Sequence, residues 1–201
     1  GVAVEIGFEQ TFVDSPDFVD ESEVVLKQEL AQGAFATVYK GLFQDSIVAV
    51  KVMKMGKDED EDMLISSFKR EMKMMSQLKH PHIVSFYAGT ILSIGAGYKQ
   101  PSVVMEMCGG GSYWGLLKKF EKSVKRGSAT KEAKAKSPRG SARKEVKLSG
   151  AHKVQILRQA ALGMKYLHTR NPPVIHKDLK ALNILIDTQG SAKVTDFGIS
   201  K

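Results

Sequence analysis

The chain has little of several features that would assign a protein to a class at once. It contains one cysteine, Cys108, so no disulfide can form within the chain, as is typical of a reducing compartment. No apolar run approaches the roughly 18 residues of a membrane-spanning helix. The start of the chain has no basic segment followed by an apolar run, so no signal peptide is recognised there. A cytoplasmic location is therefore expected, although a chain that begins with Gly1 could have lost a leader.

The net charge of +8 is unevenly distributed. Residues 118–147 hold twelve Lys or Arg and three Asp or Glu, whereas residues 1–23 hold seven acids and no Lys or Arg. We interpret 1–23 as an acidic lead-in. Residues from about 121–147 have almost no large apolar side chains and predict a basic disordered insertion. Such a segment could bind an acidic partner, but it lacks the interleaved aromatics typical of nucleic-acid binding.

Alternating apolar residues and turn residues predict five strands and one helix in the first half of the chain. The predicted strands lie within 24–30, 31–41, 42–54, 82–92 and 101–108. The helix spans 63–79, with Phe68, Met75 and Leu78 on one face, and we expect Pro81 to end it. The fold class is therefore α+β, beginning with an antiparallel five-stranded small lobe.

The second half predicts a mostly helical lobe, joined to the first near residues 106–110. A short helix is expected to start at 113–120, and a longer one spans 152–168. The apolar stripe expected on the longer helix is Leu157, Ala161, Met164 and Leu167. A hairpin follows, with arms at 184–187 and 192–195 around a turn containing Gly190.

The hairpin gathers oxygen-bearing side chains at one end. Antiparallel pairing of its arms is expected to place Asn183 opposite Asp196, while Asp178 lies on the loop that leads into the hairpin. Two carboxylates and a carboxamide are ligands that suit Mg²⁺. The sequence therefore predicts a magnesium site here.

Two opposite charges interrupt apolar faces in the first half. Lys51 shares a strand face with Ile47, Ala49 and Met53, and Glu71 lies on the apolar stripe of the helix. Each alone could be a boundary residue with its charge in water. Because unpaired buried charge is costly, we expect the two to be partners, and a lysine held in this way can grip a phosphate.

Taken together, four sequence features resemble the signature set of the eukaryotic protein kinases. They are VAVK (48–51), Glu71, HKDLKALN (176–183) and DFG (196–198), in the kinase order within 24–201. The run NPPVIHKDLKALNIL resembles the tyrosine-kinase-like group of serine/threonine kinases. The resemblance implies a two-lobe kinase fold, with ATP and Mg²⁺ as cofactors and proteins carrying Ser or Thr as substrates.

The resemblance also implies roles for single residues. Lys51 would contact the ATP phosphates and pair with Glu71, and Asp178 would orient the substrate hydroxyl and accept its proton. Lys180 would neutralise the transferring phosphoryl group, which favours Ser or Thr as the acceptor. The implied metal ligands are Asn183 and Asp196.

The same resemblance implies a nucleotide site. Val38, Ala49 and Leu185 would contact adenine, Met105 would be the gatekeeper, and the backbone of Glu106 to Cys108 would supply hydrogen bonds. The glycine-rich loop corresponds to Ala31, Gly33 and Ala36. Since alanine disfavours a positive φ, we expect weaker or altered nucleotide binding. Lys177 replaces the usual arginine and loses its bidentate fork.

The chain ends at Lys201, before the region that would carry the activation segment and the peptide platform of a kinase. We therefore expect a fragment, divided into lead-in 1–23, small lobe 24–107 and partial large lobe 108–201, which alone phosphorylates protein poorly or not at all. The alternative is a pseudokinase-like binding or regulatory module, which the altered glycine loop favours. A small-molecule phosphotransferase is a third interpretation, disfavoured by HKDLKALN.

Overall fold

The computed structural model describes residues 17–54, 61–94, 98–129 and 149–196. The chain divides into two compact units, Gly1–Cys108 and Gly109–Lys201, one residue after the boundary that the sequence indicated. Among the described residues, no helix combines the length and apolar character needed to cross a membrane.

The first unit is built on an antiparallel five-stranded sheet, which confirms the predicted fold class. Its strands are β1 (Val24–Gln32), β2 (Ala36–Phe43), β3 (Ser46–Met53), β4 (Phe86–Ile94) and β5 (Tyr98–Glu106), in the order β1-β2-β3-β5-β4. Strand β4 begins four residues later than predicted. Strand β5 begins three residues earlier, because pairing with β4 continues to Ile94 and Tyr98.

A two-residue turn joins β2 to β3. Gln44 and Asp45 have φ of 47° and 60°, and Phe43 pairs with Ser46 on either side of them. Two successive positive φ values characterise the type I′ turn, whose twist matches that of the flanking strands. The turn thereby sets the register that places Val38 beside Lys51.

The two faces of β3 carry different side chains, both of them buried over 48–53. Val48, Val50 and Val52 are almost fully buried in an apolar core with residues of β1, β2, β4 and β5. Strand alternation directs Ala49 and Lys51 to the opposite face. Both are also buried, so neither face of β3 lies open to solvent at these positions.

Helix α1 (Glu61–Ser76) covers the face of the sheet that carries Lys51. Lys51 pairs with Val103 on β5, and Val103 pairs with Gly89 on β4. A Cβ added at Gly89 would lie 1.7 Å from the Sδ of Met72, so the absence of a side chain there lets α1 approach. The helix ends at Ser76, so the expectation that Pro81 ends it is wrong.

Part of the acidic N-terminal segment belongs to the fold. Residues 17–19 run parallel to the edge strand β4: the Val19 N–H donates to the Gly89 O (2.9 Å), and the Gly89 N–H donates to the Asp17 O (2.8 Å). The Glu21 carboxylate then accepts from the Ser93 N–H. The segment therefore occupies hydrogen-bonding groups of an edge strand that would otherwise stay open. Residues 1–16 of the predicted lead-in lie outside the described residues.

The second unit combines helices with a small antiparallel sheet. Its helices are α2 (Tyr113–Ala129) and α3 (Gly150–His168), and its strands are β6 (Gly111–Ser112), β7 (Ile184–Ile186) and β8 (Ala192–Val194), in the order β6-β7-β8. Helix α2 continues nine residues past 120, so the insertion does not begin at Glu121 as predicted. The rest of that predicted insertion, 130–147, lies outside the described residues.

Helix α3 buries a stripe that is displaced by one residue from the predicted one. The buried residues are Ile156, Ala160, Gly163 and Leu167. The Oε1 of Gln159 accepts from the Ala192 N–H (2.9 Å), which turns this stripe toward β8. Of the predicted stripe, Leu167 is buried and Leu157 is 52% exposed. Leu157 lines an open apolar groove with Ala161, Met164, Leu179 and Ile184.

Candidate active site

The loop before β7 is held by hydrogen bonds to both arms of the hairpin region. His176 is 1% exposed, and its Nε2 lies 2.9 Å from the Thr195 O. The Asp178 N–H donates to the His176 O (2.8 Å) across Lys177, which has a φ of 62°. An i to i+2 bond with a positive central φ is the geometry of the rare γ-turn. This strained turn fixes the direction in which Asp178 leaves the loop.

The Asp178 carboxylate has one engaged oxygen and one open oxygen. Its Oδ2 accepts from the Lys180 Nζ (2.6 Å) and from the Asn183 Nδ2 (3.1 Å). Its Oδ1 accepts no hydrogen bond from the described residues, and 52% of the side chain is exposed. The Lys180 hydrogen bond, with a smaller contribution from Asn183, lowers the pKa of Asp178 below its usual value. The group is therefore a carboxylate at neutral pH.

Asn183 and Asp196 are neighbours across the hairpin, with a register one residue off the predicted one. Ile184 pairs with Val194, and the Thr195 N–H donates to the Asn183 O (3.0 Å), so Asn183 faces Thr195. Asp196 is the next residue along the chain. It is exposed and has a φ of 61°, a conformation that Asp tolerates better than most residues.

Asn183 presents its amide oxygen because its amide nitrogen is engaged. Its Nδ2 donates to the Asp178 O (2.9 Å) and to the Asp178 Oδ2, while its Oδ1 accepts no hydrogen bond from the described part of the chain. The described residues contain no cluster of three His, Cys, Asp or Glu that could hold a metal. A carboxamide oxygen beside a carboxylate is nevertheless the type of donor set that Mg²⁺ accepts, with water or phosphate completing its shell. The donor chemistry here fits that ion.

Lys51 and Glu71 occupy positions consistent with a pair. Lys51 is 8% exposed, Glu71 is half-buried, and both residues take part in polar or electrostatic interactions. Lys51, Val103 and Gly89 are paired across neighbouring strands, and α1 covers this part of the sheet. Met72, which follows Glu71 in α1, packs against Gly89. The pairing of Lys51 with Glu71 stays a prediction supported by this placement.

The glycine-rich loop does not need the backbone freedom that glycine provides. Ala31 lies in β1 and Ala36 in β2, and neither has a positive φ. The Gly33 N–H donates to the Ala36 O (2.8 Å), and the Lys54 Nζ donates to the Gly33 O (2.7 Å). The conformational penalty expected for alanine at these two positions therefore does not arise. The effect of their methyl groups on nucleotide binding stays a prediction.

The predicted adenine contacts fall on both units. In the first, Ala49 and Met105 are paired across β3 and β5 and are buried, and Val38 is half-buried on β2. In the second, Leu185 is half-buried on β7. Their contact with a nucleotide stays a prediction.

One backbone group in the predicted hinge segment, Glu106 to Cys108, is already engaged within the first unit. The Glu106 N–H donates to the Ser85 O (2.9 Å), and its carboxylate accepts from the Ser85 N–H (3.1 Å). The Glu106 N–H is therefore unavailable to a ligand. Cys108, which is buried and forms no disulfide, ends the first unit.

Three contributors to the site were not predicted as such. Lys177 forms the strained turn, Thr195 joins the loop to the hairpin through its backbone, and Lys54 fastens the glycine loop. The roles of Lys177 and Thr195 depend on the contact between His176 and Thr195, which are 19 residues apart. Lys54 lies just beyond the end of β3, where strand periodicity no longer indicates the direction of a side chain.

Comparisons with known proteins agree with this arrangement. A family model described as protein tyrosine and serine/threonine kinase matches residues 24–201. The serine/threonine-protein kinase CTR1 of Arabidopsis thaliana, a tyrosine-kinase-like kinase, is 33% identical over 178 residues, which cover 88% of this chain and 18% of CTR1. The dual specificity protein kinase shkA of Dictyostelium discoideum is 32% identical over 186 residues, which cover 92% of this chain and 29% of shkA.

The chain thus spans under a third of the length of these curated relatives. The match extends over both units, including Lys51 in the first and Asp178 with Asp196 in the second. ATP and Mg²⁺ are used by this family in general. The chain belongs to the family of protein tyrosine and serine/threonine kinases.

Proposed function

We propose that the protein containing this chain transfers the γ-phosphoryl group of Mg-ATP to Ser and Thr hydroxyls of other proteins. The observation that carries the proposal is the Asp178 carboxylate, with one oxygen engaged by Lys180 and Asn183 and the other open. The names of several relatives, which describe serine/threonine kinases, support the choice of acceptor. The chain's single cysteine and the absence of a spanning helix among its described residues fit a cytoplasmic location.

Asp178 would act on the acceptor hydroxyl. Its Oδ1 is the open oxygen, so it accepts the hydrogen bond of the incoming hydroxyl and then its proton. The γ-turn at Lys177 fixes the backbone of Asp178, and Lys180 and Asn183 hold its carboxylate, which limits the reorganisation needed for this contact. The Lys180 ammonium, 2.6 Å from the other oxygen, keeps the carboxylate ionised and brings positive charge beside the reacting group.

Roles in nucleotide binding are proposed separately for residues of each unit. Lys51 would grip the phosphates with Glu71 as its partner, while the Asn183 Oδ1 and the Asp196 carboxylate would hold Mg²⁺. When bound, Mg-ATP supplies the phosphoryl group, and the metal offsets its negative charge. The exposure of Asp196 and the free Oδ1 of Asn183 are the observations that support this assignment.

The experiment compares Asp178→Asn with wild type in the full-length protein, with radiolabelled Mg-ATP and a protein substrate rich in Ser, Thr and Tyr. Loss of a positioned base predicts a decrease in kcat of about 10²- to 10⁴-fold, with phosphoserine and phosphothreonine as the wild-type products. Asp45→Asn is the matched control, because Asp45 is also an exposed aspartate and lies in the turn between β2 and β3, outside the proposed site. Unchanged turnover in Asp178→Asn, or phosphotyrosine as the main product, contradicts the proposal.

A second candidate is a non-catalytic module that binds nucleotide without transferring phosphate. The methyl groups that Ala31 and Ala36 add to the glycine-rich loop favour it. The same assay separates the two functions. Mg-ATP binding by full-length wild type with no labelled product supports the second candidate and contradicts the first.

A further inference from the structure

The outward side of α2 carries lysines and an exposed aromatic ring. Trp114 is 43% exposed, and the Lys118 Nζ lies 5.0 Å from the centre of its ring. Lys119 and Lys122 are exposed on the following turn. Trp114, Lys118 and Lys122 are spaced by four residues, so they follow one side of the helix. We call Trp114, Lys118, Lys119 and Lys122 the α2 basic face.

The inward side of α2 already has partners. Tyr113 is 7% exposed, and Leu116, Leu117 and Phe120 are half-buried where α2 meets β6, β7 and the turn at Ala181–Asn183. The Lys153 Nζ of α3 also covers the ring of Phe120 at 4.5 Å. These four apolar side chains are therefore not available to insert into a groove on another protein.

The three lysines of the α2 basic face outnumber the acids of the same helix. Within the described ranges, none of its three lysines forms an ion pair with a carboxylate, and Glu121 is the only acid of the helix. The lysine row is therefore available to attract negative charge from outside the chain.

We infer that the α2 basic face binds an anionic lipid surface. A plane of lipid headgroups attracts each lysine without requiring a shaped contact, and a tryptophan at the edge of the row is suited to the headgroup region. A protein groove that captures a helix needs free apolar anchors, which α2 has already used. Single-stranded nucleic acid needs several stacking aromatics, and this face has one.

The chain supplies its own reporter, because Trp114 is its only tryptophan. The 201-residue chain is titrated with two kinds of vesicle, one of phosphatidylcholine alone and one that also contains about one third phosphatidylserine. The fluorescence of Trp114 and its quenching by brominated acyl chains are measured. Anionic vesicles are expected to shift the emission to the blue and to permit quenching. The shift should vanish in about 1 M salt, where the Debye length is about 3 Å.

Replacement of Lys118, Lys119 and Lys122 by Gln tests the charge. Each lysine contributes a factor of about five near an anionic surface, so the triple variant should bind on the order of a hundredfold more weakly. The control triple variant replaces exposed lysines of the first unit with Gln at Lys27, Lys73 and Lys79, and it should bind like wild type.

Three results overturn the inference. The first is emission that does not change with anionic vesicles, and the second is equal loss of binding in both triple variants. The third is binding to an RNA oligonucleotide or to a soluble acidic protein that is tighter than binding to vesicles, with no quenching by brominated lipid. Each leaves the phosphotransfer proposal untouched, because that proposal is tested through Asp178.

Discussion

The contact between Gly89 and Met72 offers a quantitative test of how α1 is held on the sheet. A Cβ at position 89 would lie 1.7 Å from the Met72 Sδ, 3.1 Å from its Cγ and 3.2 Å from its Cε. Gly89→Ala therefore forces Met72, which is 2% exposed, out of its place. Overpacking of this kind costs about 1–3 kcal/mol of unfolding free energy.

The double variant makes the prediction specific. Met72→Ala alone should cost about 2–5 kcal/mol, because it leaves a cavity under α1. In Gly89→Ala/Met72→Ala the new methyl group enters that cavity, so the combined loss should be smaller than the sum by about 1–2 kcal/mol. Since Met72 adjoins Glu71, the single Gly89 variant should also bind nucleotide more weakly.

Denaturant unfolding of the 201-residue chain, followed by circular dichroism, measures the four free energies of this cycle. The control cycle combines Gly89→Ala with Met75→Ala, since Met75 is buried on the same helix and is not among the atoms nearest to Gly89. That pair should be additive to within about 0.5 kcal/mol. If the free energies of the Met72 cycle are additive, or if Gly89→Ala is as stable as wild type, the proposed clash between a Cβ at position 89 and Met72 is refuted.

Three further predictions concern the second unit. In thermal unfolding, Lys177→Gly should be more stable than Lys177→Ala by about 1 kcal/mol, because the positive φ at this position is unfavourable for alanine but not for glycine. The reverse order of stability would show that the turn is not strained. Lys180→Met should raise the pKa of Asp178, because the hydrogen bond from Lys180 is lost. On acidification, the stability contributed by the ionised Asp178 should then be lost at a higher pH than in wild type. NMR titration of the Asp178 carboxyl group measures the pKa, and an unchanged pKa refutes the prediction. Gly110→Ala should cost about 1–3 kcal/mol of unfolding free energy, because its Cβ would lie 2.8 Å from the Ile186 O; an unchanged melting temperature contradicts the clash.

Features set by neighbouring residues were predictable from the sequence. The alternation of 47–53 placed Lys51 on a face separate from Val48, Val50 and Val52, and that separation is observed. The turn containing Gly190 has the positive φ of 87° that its composition predicted. In these cases a period of two or a turn residue determines the outcome locally.

Features set by distant contacts were missed or displaced. Helix α3 has apolar residues on neighbouring stripes, and the hydrogen bond from Ala192 to Gln159 selects the one that faces β8. The γ-turn at Lys177 persists because His176 is fixed to Thr195. No window of local sequence contains both members of either contact.

The alanines of the glycine loop illustrate a different source of error. The motif led us to expect a backbone penalty at Ala31 and Ala36, but both residues adopt strand conformations. A glycine in a family motif can serve for its small size rather than for a positive φ, and the sequence alone does not distinguish the two reasons.

The most direct test of the central claim is calorimetric titration of the 201-residue chain with ATP, with and without Mg²⁺. The account predicts Mg²⁺-dependent binding that Asp196→Asn weakens at least about tenfold, which corresponds to about 1.4 kcal/mol, while Asp45→Asn, with a similar positive φ, binds like wild type. Binding that is indifferent to Mg²⁺ and unchanged in Asp196→Asn would contradict the assignment of Asp196 as a metal ligand and, with it, the proposed nucleotide site.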